Sequence, residues 1–574
     1  MRRRRTMKHT GRAGVSWDGP LGHRATIGRA AVSWTAPRVS SALFALLLAL
    51  TVLAPTPSLA DDTVDVIVQQ IPGTSTNVAA LIEDLGGSVT GELRIIDGYA
   101  AELPASAIDR LSADPAIASV TPDGTVELTG WHFAADDQES LASVADKVTN
   151  ADQFWNNGYT GAGVDIALID SGVSPVDGLT LPNKVVNGPD LSFESQDPDL
   201  RYLDSFGHGT HLAGIMAGQS DSTPAKISTK EAKRHFLGIA PDARIVNVKV
   251  ATRNGATDVS QVIAAIDWVV QHRDDNGMNI RVINLSFGTD STQSYYLDPL
   301  AFAVEQAWNR GIVVVVAAGN DGNSSALRNP ASDPFVIAVG AAAVNGSERT
   351  NDDSIPKFSS CGTNQRHVDV VAPGRSIVSL LAPGSAASVD HPEAIIDGKY
   401  LVGSGTSQAA AVVSGAAALI IDQRPGITPD QVKALLMTTA SKIRGESSNC
   451  QGAGLISLGD AVHASTPSKD QSVQYKPSQG TGSLEASRGS FNLSHDGVTL
   501  EGEQDIMGTA WDGASWSSLS AAGASWSGGD WNGASWSGAS WSGASWSGMS
   551  WSGASWSASA WLGLSWGGPA LVIV

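Results

Sequence analysis

Cysteine is almost missing from this chain: Cys361 and Cys450 are the only two among 574 residues. That excludes a disulfide-dense scaffold, and neither stands at zinc-ligand spacing from another cysteine or a histidine. The two either pair, closing a loop of about 90 residues that contributes roughly 4 to 5 kcal/mol on a chain-entropy argument, or remain separate buried thiols. Long apolar runs are missing too. The best of them, ALFALLLALTVL at 42–53, falls short of the roughly 20 apolar residues that span a bilayer. Its basic flank and the small-residue site Ser58-Leu59-Ala60 mark residues 1–60 instead as a signal peptide, with Met7 a second candidate start. Basic residues are scarce as well, 37 Lys and Arg against 57 Asp and Glu for a net charge of −20. Nine of the basic residues and a single acid, Asp18, lie in the first 60, so the remainder carries −28. That balance argues against nucleic acid or an anionic membrane as partner.

What is present divides the chain. Residues 61–130 read as strand, helix, two strands, helix, strand: VDVIVQQ, NVAALIEDLGG, SVTGELRIIDGYAAELP, ASAIDRLSADP and AIASVTPDGTVEL. This is the pattern of a small ferredoxin-like α+β domain. Over 131–465, apolar strands such as GVDIALID, ARIVNVKV, IRVINLSFG and GIVVVVAAGN alternate with small-residue helices. Such a pattern predicts an α/β fold, a mostly parallel sheet covered by helices on both faces, with its site at the carboxyl ends of the strands. Residues 466–508 lose periodicity and read as a polar linker. From 509 to 574 tryptophans recur every five residues from Trp511 to Trp566, Ala521 standing in one place of the register. A period of five fits neither helix nor strand. A low-complexity tail whose unit Ala-Ser-Trp-Ser-Gly is uncharged, with regularly spaced aromatic faces, suits contact with a cell-surface polymer.

Four segments carry candidate chemistry. Asp170 ends a strand and precedes Ser171-Gly172; taken alone, such an Asp is a turn or cap residue. His208 lies in SFGHGTHLAGIMAG, whose small residues let a helix approach the sheet, and His211 of the same segment reads as structural. Asn320 ends GIVVVVAAGN and presents an amide donor at the same edge, as an oxyanion requires. Ser407, in GSGTSQAAAVVSGAAALI, falls at a predicted helix N-terminus, where partial positive charge favours a developing anion. Each has a bland reading by itself. Together, in the order Asp170, His208, Asn320, Ser407 and each in its glycine context, they are hard to obtain by accident.

This constellation resembles the subtilisin-like serine peptidases. DSGV (170–173), GHGTHLAG (207–214), AAGN (317–320) and GTSQA (405–409) are similar to that family's Asp, His, Asn and Ser motifs, in the Asp-His-Ser chain order of subtilisin. Gln408 and Ala411 depart from the usual methionine and proline without deleting a proton-transfer or oxyanion group. The resemblance implies a secreted endopeptidase with Asp170, His208 and Ser407 as catalytic residues and Asn320 as oxyanion donor. It implies a substrate-binding edge at Ser286-Phe287-Gly288, protein or peptide substrates, and residues 61–130 as an intramolecular inhibitory propeptide cut off between about Leu128 and Ala142. No cofactor is required for the chemistry. Structural calcium is compatible with acidic loops such as 194–204, its ligands unassigned. The alternatives are a narrow processing protease, or a non-catalytic envelope or adhesion protein acting through the tryptophan repeat. An inert fold would be expected to have lost a triad group, and none is missing.

Overall fold

A computed structural model describes residues 63–122, 139–468 and 475–522 and the pairs 530–531 and 534–535, apart from short gaps at 72–73, 75, 94–97, 142–143, 196, 233, 345, 347–348, 496–497 and 507–508. The expected signal peptide, most of the expected processing region and the repeat beyond 535 lie outside the described residues. The chain divides into two compact units, Met1–Trp131 and His132–Val574.

The first unit runs β1 (Thr63–Gln70), α1 (Val78–Asp84), β2 (Ser88–Leu93), β3 (Gly98–Pro104), α2 (Ile108–Ser112) and β4 (Ile117–Pro122). Its sheet is antiparallel in the order β2-β3-β1-β4. Alternation along β1 turns Val66 and Val68 inward, where they meet Ile82, Leu103 and Leu111, all fully buried. The Asn77 side chain caps α1 by accepting from the Ala80 N–H, satisfying one of the free donors of the first turn.

The second unit is built on seven parallel strands in the order β11-β10-β9-β8-β5-β7-β6. These are β5 (Asp165–Asp170), β6 (Val185–Asp190), β7 (Arg244–Lys249), β8 (Ile280–Leu285), β9 (Val313–Ala317), β10 (Ile337–Ala342) and β11 (Val370–Pro373). Every residue of β5, β9 and β10 is buried, which explains the apolar runs of β9 and β10 and of Ile166–Ile169 in β5. Two helix pairs pack on the sheet: α4 (Val259–His272) with α5 (Pro299–Asn309), and α3 (His208–Ala217) with α6 (Thr406–Gln423). Residues 406–421 of α6 are all buried. Only small side chains permit this: a Cβ at Gly415 would lie 2.7 Å from Ile239 Cβ. A later helix, α7 (Pro429–Thr439), starts with a capping box between Thr428 and Gln431.

The stretch 466–508 reads as a linker, and over its described part the structure corrects that. Residues 475–522, including α8 (Leu484–Arg488) and α9 (Gly513–Ala521), form a strap packed into the second unit. Gln479 N donates to Tyr296 O and Gly482 N to Leu297 O, both at 2.7 Å. Arg488 is fully buried and pairs with fully buried Asp258 at 2.7 Å. Leu484 and Leu493 lie in the interior. The polar composition is turned inward to partners far away in sequence, so no local period announces it. The same correction applies to the start of the repeat region at 509. Trp516 is buried and meets the Phe302 ring edge-on, centroids 5.5 Å apart.

The strap also meets a buried acid pair. Ser478 N donates to both oxygens of Glu305, at 2.8 and 2.9 Å. Burial, reinforced by the neighbouring Asp333 carboxylate, pushes Glu305 up to about 9; burial pushes Asp333 up to about 7, opposed by Arg366 and Lys433. The folded protein therefore holds a proton that the unfolded chain releases near the ordinary Glu value of 4.5, and stability contributed by the protonated pair is lost as pH rises towards about 9. Glu305→Gln is expected to flatten the fall in melting temperature between about pH 5 and 9; an equally steep fall in variant and parent would exclude this pair as its source.

Candidate active site

Asp170 is the last residue of β5 and His208 the first of α3, so a strand end and a helix start deliver the two side chains to one point. His208 Nδ1 lies 2.9 and 3.0 Å from the two oxygens of Asp170, and the carboxylate also accepts the Ser171 N–H at 2.8 Å. The close approach depends on Gly209, where a Cβ would stand 2.1 Å from the Gly172 carbonyl oxygen.

Asp204 is a positioning residue for the histidine helix that the sequence reading missed. It is buried and accepts from Gly207 N at 2.6 Å, Thr210 N at 2.7 Å and Ser171 Oγ at 2.7 Å. One carboxylate thereby caps the histidine helix and ties it to the turn after Asp170. The available signal was an acidic residue just before a helix start. His211, by contrast, is buried with Nε2 against the carbonyl oxygens of Leu401 (3.1 Å) and Ile377 (3.3 Å). Burial, then the nearby His208, pushes its imidazole down to about 4, so it is a neutral structural group.

Ser407 sits in the first turn of α6, where the backbone N–H groups have no intrahelical acceptor. Asn320 comes to the same turn from the end of β9. Its Oδ1 accepts from Thr406 N at 3.0 Å and Thr406 Oγ1 at 3.1 Å, leaving Nδ2 over Gly405, where a Cβ would meet it at 3.1 Å. Ser407 Oγ is buried without a hydrogen-bond partner. The structure thus joins Asp170 to His208 and Asn320 to the helix that carries Ser407, and no His208–Ser407 hydrogen bond is formed.

Ser286-Phe287-Gly288 follows β8 at the same end of the sheet. Ser286, Phe287 and Gly288 are buried as whole residues, backbone included. Cys361 and Cys450 are joined in a disulfide. Among the described residues, no group of three or more His, Cys, Asp or Glu side chains is gathered as metal ligands. In the acidic loop 194–204, the place of a cation beside Glu194 and the Leu203 carbonyl is taken by Lys249, whose Nζ donates to Glu194 at 2.6 Å and to Leu203 O.

The subtilase family profile matches residues 161–454. Serine protease AprX of Bacillus subtilis (strain 168) is 33% identical over 333 residues, covering 56% of this chain and 72% of that protein. Subtilisin E of the same organism is 34% identical over 383 residues, 66% of this chain and 84% of that protein. The thermophilic serine proteinase of Bacillus sp. (strain AK1) is 36% identical over 297 residues, 52% of this chain and 61% of that protein. With a parallel sheet that brings the Asp, His, Asn and Ser motifs to its carboxyl edge, this chain belongs to the subtilase family and is a subtilisin-type serine endopeptidase.

Proposed function

We propose that the chain is an exported peptidase that cleaves peptide bonds through Asp170, His208 and Ser407, with Asn320 as oxyanion donor, and that it removes its own inhibitory segment 61–130. The observation that carries this reading is the His208 imidazole held through Nδ1 by both Asp170 oxygens. A proton fixed on Nδ1 leaves Nε2 as the base. Once substrate closes the remaining gap, Nε2 takes the Ser407 hydroxyl proton as Oγ attacks the peptide carbonyl. The charge on the carbonyl oxygen falls to Asn320 Nδ2 and the Ser407 N–H. Imidazolium then protonates the leaving amine, and water, activated by the same nitrogen, hydrolyses the acyl-enzyme. Substrate lies extended along 286–288, adding as a strand.

A serine-directed phosphonyl reagent should inactivate the protein and map to Ser407, while thiol reagents and zinc chelators leave it active. A labelled peptide from any other serine would overturn the assignment. Asn320→Ala is expected to lower kcat by about two to three orders of magnitude, a loss taken from subtilisin, with little change in KM; a kcat within about threefold of the parent would remove Asn320 from the oxyanion site.

A further inference from the structure

Arg328 lies where the two segments leaving β8 and β9 diverge. A Cβ at Gly288 would stand 2.5 Å from Arg328 Cβ, and one at Gly319 would stand 2.8 Å from its Cγ. The aliphatic stem therefore fills the gap between the backbone edge at 286–288 and the turn that carries Asn320. Its guanidinium continues onto Asp321, the residue after Asn320, which accepts from Nε at 2.7 Å and also from Nη2. This bidentate pair cancels the charge on both partners. The remaining nitrogen, Nη1, is buried without an acceptor, so the ion pair and packing, not a full set of hydrogen bonds, hold the side chain. A cavity of about 550 Å³ bordered by Thr289, Asp321, Leu327 and Arg328 continues beyond it.

The packing comes from the C-terminal strap. Phe491 faces the guanidinium at 4.8 Å, a cation–π distance. The strap also grips the loop that continues from Gly288: Thr289 Oγ1 donates to Ser487 O at 2.6 Å, Ser291 Oγ to Ala486 O at 3.0 Å and Ser490 Oγ to Asp290 Oδ2 at 2.6 Å.

We infer that Arg328, held by Asp321 and by Phe491 of the strap, determines specificity by closing the crevice for the side chain on the acyl side of the cleaved bond. This rests on the proposed roles of Ser407 and Asn320: a carbonyl presented to them by a chain extended along 286–288 sends its side chain between the same two segments. With the arginine stem in that space, the preferred substrates carry a short side chain such as alanine there, and aromatic side chains are excluded. The strap acts at one remove, as a positioning element.

The test uses the full chain and two matched peptides that differ only by alanine or phenylalanine at that position. The readout is the ratio of their kcat/KM values, which does not depend on how much enzyme is folded. Arg328→Ala is expected to shift the ratio towards phenylalanine by at least about 10- to 200-fold, the range that one methylene commands in an apolar pocket. Phe491→Ala should shift it in the same direction by less, and carries the test if the arginine variant does not fold. An unchanged ratio in every variant that folds overturns the inference; a shift with Arg328→Ala but none with Phe491→Ala removes the strap's part in it. Failure of the underlying reading is seen separately, as parent enzyme that cleaves peptide without phosphonyl labelling at Ser407.

Discussion

Ser407→Ala is expected to lower kcat by about six orders of magnitude, the loss that removal of the nucleophile causes in subtilisin, and to yield a chain that still carries residues 61–130. The second effect follows because the proposed self-processing uses the same hydroxyl as substrate cleavage. Fold should be retained: Ser407 Oγ makes no hydrogen bond, so its removal orphans no partner. Purified variant assayed on casein, with its N-terminus read by mass spectrometry, checks both parts. Residual cleavage near the parent rate, or a trimmed N-terminus made in the absence of any other protease, would contradict the assignment.

Arg488→Ala is expected to cost about 3 to 5 kcal/mol of stability, the usual loss on breaking a buried ion pair. Both side chains of the pair are 0% exposed, and Asp258 also caps α4 in a capping box. Without the guanidinium, Asp258 remains charged and dry, and the strap loses the bond from Nη1 to Gly502 O. The double variant Asp258→Asn, Arg488→Met should recover part of the loss, because it removes the uncompensated charge along with its partner. Denaturant midpoints of the three proteins decide this; a single-variant loss below about 1 kcal/mol would mean the pair is solvated in solution.

The sheet was legible because strands buried on both faces must be apolar throughout, as Val313–Ala317 is. Asp170, His208, Asn320 and Ser407 were legible because each falls at an element boundary beside glycines that backbone approach requires, as at Gly209. The strap was not, because it enters the body one polar residue at a time. Arg488 finds Asp258 and Ser478 finds Glu305, contacts that no local pattern encodes. Trp511 and Trp516 share a register with the tryptophans beyond them, yet Trp516 is buried in the second unit, a placement that the sequence period does not announce. Arg328 was hidden for a related reason: it is an arginine in a loop until the two glycines beside it are seen to touch it.

The strap is also synthesised long after the acids it meets. Arg488 and Asp258 are 230 residues apart in the chain, and Ser487, which bonds Asp298 at 3.0 Å, lies 189 residues from it. A chain emerging N-terminus first exposes Asp258, Asp298 and Glu305 long before their partners in the strap exist. Until those arrive, donors close in sequence, such as Ser260 N for Asp258 and Leu300 N for Asp298, satisfy only part of their bonding. The order of translation thus delays closure around these acids until the strap has been made, so that a chain broken off before residue 475 should be open to proteolysis and quickly cleared.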